Sequence, residues 1–552
     1  MIRRLRSDLR QGLELARPAT VATFWRAGAF DIRGAVGLAT SWPWLVGRGA
    51  SLGVMSQLNR VALPDKPALV DRAGTLTWSD LDRRVNRLLH ALQGQGVDPG
   101  DRVALLLRNG REIVEALFAC QKGGIVSAPL NTWAKPKELA ATLGQAEPKV
   151  LIHDTLHSDQ VRKAAADGVR LIAVGDPSGA IEGSTPYEEL LASSGDSPPL
   201  PVTLRRGSPK VIIHTSGTTG TPRGAARDAA VTGVREFAGL LRTVPLKRTD
   251  VILCPAPLFH SFGLLTLVAG TLIGGTFVFP ERFDPEESLA LIEEHGVTVA
   301  SMVPVMIGRV VSLPDEVKAR YNVSSLRVLL ASGSAIPLDL RDAVRGLFGE
   351  VLYDLYGSTE AGWVAIATPR DMLAKPGTLG KPVQGVEVAV FAPNGKRLPP
   401  GEVGELHIKS AAVFDGYTSG ESKKHREGYL SIGDLGRIDE DGYLFVEGRA
   451  DDMVVVGGEN VYPAEIEDVI RGLDGVEDVA VVGAKDPEYG QVPVAFVVGG
   501  AKPEEIRRAS KEELASFKVP RRVEKVKELP RTSTGKVLKR ELVAGLEDRP
   551  SA

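Results

Sequence analysis

The stretch Val211-Ile212-Ile213-His214-Thr215-Ser216-Gly217-Thr218-Thr219-Gly220-Thr221-Pro222-Arg223-Gly224-Ala225 decides how this 552-residue chain is read. Its first three residues are an apolar β-branched run, predicted to be a buried strand. The next twelve, 214–225, hold three glycines, five hydroxyls and one arginine. Glycine lets a backbone take positive φ and come close to a ligand. Successive N–H groups in such a loop form a concavity that suits anionic oxygens. A strand running into a loop of this composition is suited to hold phosphate. The spacing G-x-x-x-x-G-K-[ST] is absent, so this is not a Walker A loop.

Outward from this stretch, short apolar runs alternate with helical patterns. Ala68-Leu69-Val70, 103–107, 150–152 and 171–174 read as strands, and 81–92 and 112–120 read as helices. Past the loop, 251–253, 297–303, 326–331 and 351–355 read as further buried strands. This alternation predicts an α/β fold with a largely parallel sheet covered on both faces. From 380 to 447 shorter strands and turns predict a β-rich subdomain, and from 452 to about 546 a separate alternation predicts a small α+β domain. The expected organisation is an N-terminal extension (1–60), a large domain of stacked mixed and parallel sheets (61–450) and a small C-terminal domain (451–552). In open α/β sheets ligands sit beyond the carboxyl ends of strands. The segments Gly333-Ser334-Ala335 and Tyr356-Gly357-Ser358-Thr359-Glu360, each following a strand, are therefore expected to converge on the phosphate loop.

Composition narrows the function classes. A chain that is 43% hydrophobic and 25% charged belongs with globular proteins in water. A net charge of -2 gives no basis for nucleic-acid binding. Cys120 and Cys254 match no metal or redox spacing, which predicts a reduced, cytoplasmic location. The first residues carry Arg3, Arg4, Arg6 and Arg10 with Ile2, Leu5, Leu9 and Leu13 at helical spacing, followed by Trp25, Trp42 and Trp44. No cleavable signal follows, and the longest uncharged run of this region, between Arg33 and Arg48, is short of the roughly 18 apolar residues of a membrane span. Two readings of this extension stay open: peripheral contact with a membrane, or packing on its own domain.

Seven segments in order resemble the adenylate-forming superfamily, and within it the acyl-CoA synthetases. They are 215–224, Pro257-Leu258-Phe259-His260, 356–360, Gly433-Asp434, Gly448-Arg449-Ala450-Asp451-Asp452, Gly457-Gly458-Glu459-Asn460 and Pro530-Arg531-Thr532-Ser533-Thr534-Gly535-Lys536. The resemblance implies an enzyme that joins a carboxylate to AMP with release of pyrophosphate, then passes the acyl group to a thiol. Its substrates and cofactors would be ATP, Mg²⁺ and coenzyme A. It further implies that Thr215, Ser216, Gly217, Thr218, Thr219, Gly220 and Arg223 hold the β- and γ-phosphates. Gly333, Ser334, Ala335, Asp354, Leu355, Tyr356, Gly357 and Ser358 would form the adenine side, with Tyr356 stacked on the base. Thr359 would reach the α-phosphate, Glu360 would hold Mg²⁺, and His260 would lie near the acid's carboxylate. Asp434, assisted by Arg449, would bind the ribose. Asp451 would be the hinge, Gly457 and Gly458 would flank the pantetheine, and Lys536 would bridge carboxylate and phosphate in the transition state.

Several positions depart from the family pattern. Arg223 stands where lysine is more usual, and His214 replaces an aromatic tyrosine. Ile432 replaces a hydroxyl residue, and Gly224-Ala225-Ala226-Arg227 departs from the usual continuation on the acyl side. The expected substrate is a medium- or long-chain fatty acid. The alternatives are CoA ligation of an aromatic or other small acid, and a fatty acyl-AMP ligase that loads a carrier protein. No extra segment between Gly404 and Arg449 supports the carrier-protein option. A non-catalytic binding scaffold would be marked by loss of Lys536 or Glu360, and both are present.

Overall fold

Strands covered on both faces need continuous apolar runs rather than alternation. Residues 103–106 and 150–154 are buried without a break, so their strands lie inside a sheet. A computed structural model describes residues 23, 27, 51–164, 168–198, 210–215, 223–228, 234–411, 413–414, 416–417, 423–449, 452–456, 459–486, 489–514, 516–532 and 535–547. The amphipathic start, with Trp25, Trp42 and Trp44, lies outside the described residues, as do loop 216–222, Asp451, Gly457 and Gly458.

The chain divides into two compact units. The first runs to Leu373 and adds Val383–Val386 and Ser410–Lys423; the second holds Ala374–Pro382, Glu387–Lys409 and Lys424 onward. In the first unit one sheet runs Gly416–Tyr417, Arg223–Asp228, Lys210–Thr215, Val126–Pro129, Arg102–Leu106, Val150–Asp154, Arg170–Val174, Thr185–Pro186. Its pairings are parallel from Lys210–Thr215 onward. A second sheet runs from Gly362–Ala367 through Leu352–Ser358, Val328–Ala331, Val299–Met302, Val251–Leu253, Thr276–Val278 and Pro67–Asp71 to Gly74–Thr77. Its inner pairings are parallel and the two ends antiparallel. The predicted α/β architecture is present.

Helices cover these sheets because their apolar residues recur at three and four. In Trp78–Gly94, Trp78, Leu81, Val85, Leu88, Leu89 and Leu92 are buried, and Thr77 and Asp80 form a reciprocal capping box. Arg111–Gly123 packs beside it and ends on Gly124 in the left-handed region. Between them lies a fully buried ion pair: Lys122 Nζ is 2.8 Å from Asp82 Oδ1, and both side chains are 0% exposed. Asn86 Oδ1 accepts from the same ammonium at 2.6 Å, and Ser56 Oγ donates to Asp82 at 2.9 Å. Among the described residues no helix is long and apolar enough to cross a membrane.

In the second unit, Glu387–Phe391, Gly404–Lys409, Tyr429–Ile438 and His425–Arg426 form an antiparallel sheet, with Leu444–Arg449 also on Tyr429–Ile438. Another sheet runs Glu459–Val461, Val454–Val456, Gly490–Gly499, Val476–Asp486, with Arg522–Lys525 parallel to Gly490–Gly499. Helices Pro463–Arg471 and Pro503–Glu513 belong to this part.

Several strands had no counterpart in the sequence reading, among them Val126–Pro129, Thr276–Val278, Gly362–Ala367 and Arg223–Asp228. Arg223–Asp228 folds back antiparallel on Lys210–Thr215, with His214 opposite Gly224 and Thr215 opposite Arg223. Glycine and alanine have poor strand propensity, so the segment carries no strand signal. Backbone pairing on both sides holds it, since Tyr417 and Gly416 pair with Ala225 and Ala226.

Removing one partner of a buried ion pair leaves the other charge uncompensated. Asp82→Ala is expected to destabilise the first unit by about 3–5 kcal/mol, and Asp82→Ala with Lys122→Met to recover most of that loss. Chemical denaturation of the full chain measures both.

Candidate active site

The hairpin Lys210–Thr215/Arg223–Asp228 brackets the glycine- and hydroxyl-rich segment 216–222, and its last register pair is Thr215–Arg223. His214 enters this hairpin with both ring nitrogens buried and without a hydrogen-bond partner. Burial pushes its imidazole down to about 4, so at neutral pH it is an uncharged ring.

The Leu352–Ser358 strand leads into the turn that carries Thr359 and Glu360. It crosses Gly362–Ala367 with a bulge between Tyr356 and Gly357. A Cβ on Gly357 would collide with the carbonyl oxygen of Gly362, so the backbones can approach only because that side chain is absent. Ser358 Oγ accepts from the Ala361 N–H at 3.1 Å, closing the turn. The Glu360 carbonyl accepts from Phe414 N–H at 2.8 Å. Its carboxylate is buried, and Oε1 accepts from the Tyr417 hydroxyl at 2.6 Å and faces Lys423 Nζ at 3.3 Å. Burial opposes charge on this group, but Lys423 and Tyr417 outweigh it and hold the carboxyl below its ordinary range.

Thr359 meets the start of helix Ser261–Ile273, where its hydroxyl is 3.4 Å from Ser261 Oγ. His260 immediately precedes that helix. Its Nε2 is buried without a hydrogen-bond partner, and burial pushes the ring down to about 4. Phe259 and His260 lie with ring centroids 4.5 Å apart, and Trp133 contacts Phe259 edge-on at 5.3 Å. Gly263 allows the 256–257 backbone to cross the first turn, since a Cβ there would strike the Pro257 carbonyl. The structure thus brings His260, Ser261, Thr359 and Glu360 together.

Gly333, Ser334 and Ala335 follow the Val328–Ala331 strand, which pairs in parallel with Leu352–Ser358. They are exposed at the same carboxyl edge as Tyr356, and Ser332 Oγ donates to the Leu355 carbonyl at 2.8 Å. The side chains of Asp354 and Leu355 are buried. Asp354 lies 3.2 Å from Arg341 Nη2, and burial pushes its carboxyl up to about 7 against the pull of that guanidinium.

In the second unit Asp434 and Arg449 are direct register partners across Tyr429–Ile438 and Leu444–Arg449. Lys536 ends a tight turn. Its N–H donates to Thr532 Oγ1 at 3.1 Å and its carbonyl accepts from Thr532 N–H at 2.7 Å, and the side chain is exposed.

Residues 58–418 match the family model described as AMP-binding enzyme. The chain belongs to the AMP-binding enzyme family. Residues 465–536 match the model of the AMP-binding enzyme C-terminal domain. The chain is 36% identical over 497 residues to a feruloyl-CoA synthase of an Amycolatopsis species, covering 88% of this chain and 97% of that protein. It is 33% identical to the fatty acid–[acyl-carrier-protein] ligase ScoC of Streptomyces coeruleorubidus, covering 87% and 93%. The crystal structure of the anthranilate CoA ligase AuaEII with anthranoyl-AMP superposes with a TM-score of 0.79 at 25% identity, covering 90% of this chain and 97% of that one.

In this AMP-binding enzyme the carboxylate that could hold a metal ion is Glu360. Among the described residues no group of three or more His, Cys, Asp or Glu side chains forms a cation cage. One hard carboxylate oxygen fits a Mg²⁺ that takes most of its ligands from phosphates and water. Ser261, Tyr417, Lys423 and Asn109 were missed in the sequence. Asn109 braces the loop before His260, donating to the carbonyls of Cys254 and Ala256 at 3.1 and 2.9 Å and accepting from Leu258 N–H at 2.9 Å. Each is a single residue far in the chain from its partner, so no local pattern marks it; only Ser261 adjoins a recognised motif.

A neutral imidazole held near 4 binds its proton in the unfolded chain before it does in the folded one. Each such histidine contributes stability above pH 6.5 that is lost as pH falls toward 4, with a slope of about 1.4 kcal/mol per pH unit. The melting temperature is expected to drop across this window, and His214→Phe to flatten the drop. Calorimetry from pH 7 to 4 measures it.

Proposed function

We propose that this enzyme is an ATP-dependent acid–CoA ligase acting on an aromatic or other small carboxylic acid. One observation carries the reaction: the Thr359–Glu360 turn is seated against the His260–Ser261 helix start. That cluster offers hydroxyls, a neutral imidazole, backbone donors and one carboxylate in a partly buried setting, where developing phosphate charge is stabilised more strongly than in water. Loop 215–223 holds the β- and γ-phosphates, Tyr356 and the 333–335 segment hold adenine, and Asp434 with Arg449 holds the ribose. Mg²⁺, when bound, neutralises phosphate oxygens. Lys536 supplies a mobile positive charge to the reacting carboxylate and phosphate, Asp451 serves as the hinge of a small C-terminal domain, and Gly457 and Gly458 leave room for pantetheine.

Likeness to a feruloyl-CoA synthase and an anthranilate CoA ligase supports a ring-bearing acid over the fatty acid first expected. The exposed Trp133 ring, edge-on to the Phe259 ring beside His260, offers planar apolar surface for such a substrate. The likeness to ScoC favours a second reading, transfer of the acyl group to a carrier protein.

Pyrophosphate release is measured with benzoic, hydroxycinnamic, short-, medium- and long-chain acids, with CoA, with a carrier protein and with neither. Turnover on aryl acids that needs CoA is expected; signal confined to medium- and long-chain acids would refute the proposal. Lys536→Ala is expected to slow acyl-AMP formation by about 10²–10³-fold while CoA attack on supplied acyl-AMP stays near wild type. Stopped-flow measurement of the two half-reactions separates them.

A further inference from the structure

The Glu360 carboxylate proposed to hold a metal ion already faces a cation. Oε1 accepts from the Tyr417 hydroxyl and lies 3.3 Å from Lys423 Nζ. Glu360 is 8% exposed and the Lys423 side chain 23%, so solvent screens this pair less than an ordinary surface bridge. The two partners differ in kind. Tyr417 is fixed by strand pairing to Ala225. Lys423 carries a compact charge on a flexible stem that can swing away.

We propose that Lys423 is a built-in placeholder cation. It keeps the Glu360 carboxylate aimed before the metal–nucleotide complex binds, and it competes with the metal for Oε1. The proposal rests on reading Glu360 as the metal-binding carboxylate. Lys423 acts through Glu360 and is therefore a positioning residue. Two cations that share one oxygen are negatively coupled, so each weakens the other's hold on it. Tyr417 satisfies the carboxylate in either state and leaves no buried acceptor without a donor.

Mn²⁺ binding to the full-length protein, with a non-hydrolysable ATP analogue present, is followed by loss of the free-ion electron paramagnetic resonance signal. Lys423→Met is expected to bind Mn²⁺ about fivefold tighter than wild type, and Lys423→Arg to stay within about twofold. Equal or weaker binding by Lys423→Met overturns the proposal. So does a lowered melting temperature with no gain in Mn²⁺ affinity, the mark of a merely structural lysine. Lys423→Gln serves in its place if Lys423→Met does not fold. Glu360→Gln separates the two levels of the argument. If it weakens Mn²⁺ binding while Lys423→Met changes nothing, the Glu360 assignment stands and the placeholder fails. If it leaves Mn²⁺ binding unchanged, the assignment fails and the placeholder falls with it.

Discussion

Backbone pairing of Arg223–Asp228 on both of its edges joins otherwise separate pieces of the first unit. On one side it closes the hairpin with Lys210–Thr215, so both residues that flank segment 216–222 are held in strand pairing. On the other it pairs with Gly416–Tyr417, and Tyr417 reaches Glu360 at 2.6 Å. A hydrogen bond to a charged group contributes about 1.5–3 kcal/mol, enough to hold one rotamer of a buried carboxylate. Through this strand the loop and the 359–360 turn share a framework, although 130 or more residues separate them in the chain. The small residues Gly224, Ala225 and Ala226 suit that position, since Ala225 is buried and pairs with a strand on each side.

Burial also sets the electrostatics around the turn. His214 and His260 are both pushed down to about 4, so neither brings a positive charge at neutral pH. Asp354, two positions before Tyr356 on the Leu352–Ser358 strand, is pushed up to about 7 by burial against the pull of Arg341. Positive charge within the described part of the first unit reaches Glu360 through Lys423. A site that handles phosphate gains from such economy, because uncharged donors orient an anion without the salt screening that weakens exposed ion pairs.

The acid is where the resemblance to fatty-acid enzymes led furthest from the relatives. That expectation rested on the motif set, the pantetheine-side segment Gly457-Gly458-Glu459-Asn460 and an amphipathic N-terminus, and none of these bears on the acid itself. Substrate discrimination in an apolar pocket comes from wall residues worth about 1–3 kcal/mol per methylene, and these are scattered in sequence. Family membership therefore reads clearly while the substrate does not. Likeness to ring-acid ligases, with the aromatic neighbours of His260, favours the aryl reading.

The sequence by itself determined the α/β class, the family and the position of each motif along the chain. These are local properties: apolar periodicity, glycine and hydroxyl density in one loop, and short ordered segments such as Tyr356-Gly357-Ser358-Thr359-Glu360. Tertiary structure alone decided that an alanine-rich segment is a strand, that Ser261 meets Thr359, and that Tyr417 and Lys423 meet Glu360. It also decided that the Asp354 side chain, both ring nitrogens of His214 and Nε2 of His260 are buried away from water. Each of these depends on pairing or burial between residues distant in the chain, and a side chain's charge follows from its surroundings rather than from its neighbours in sequence.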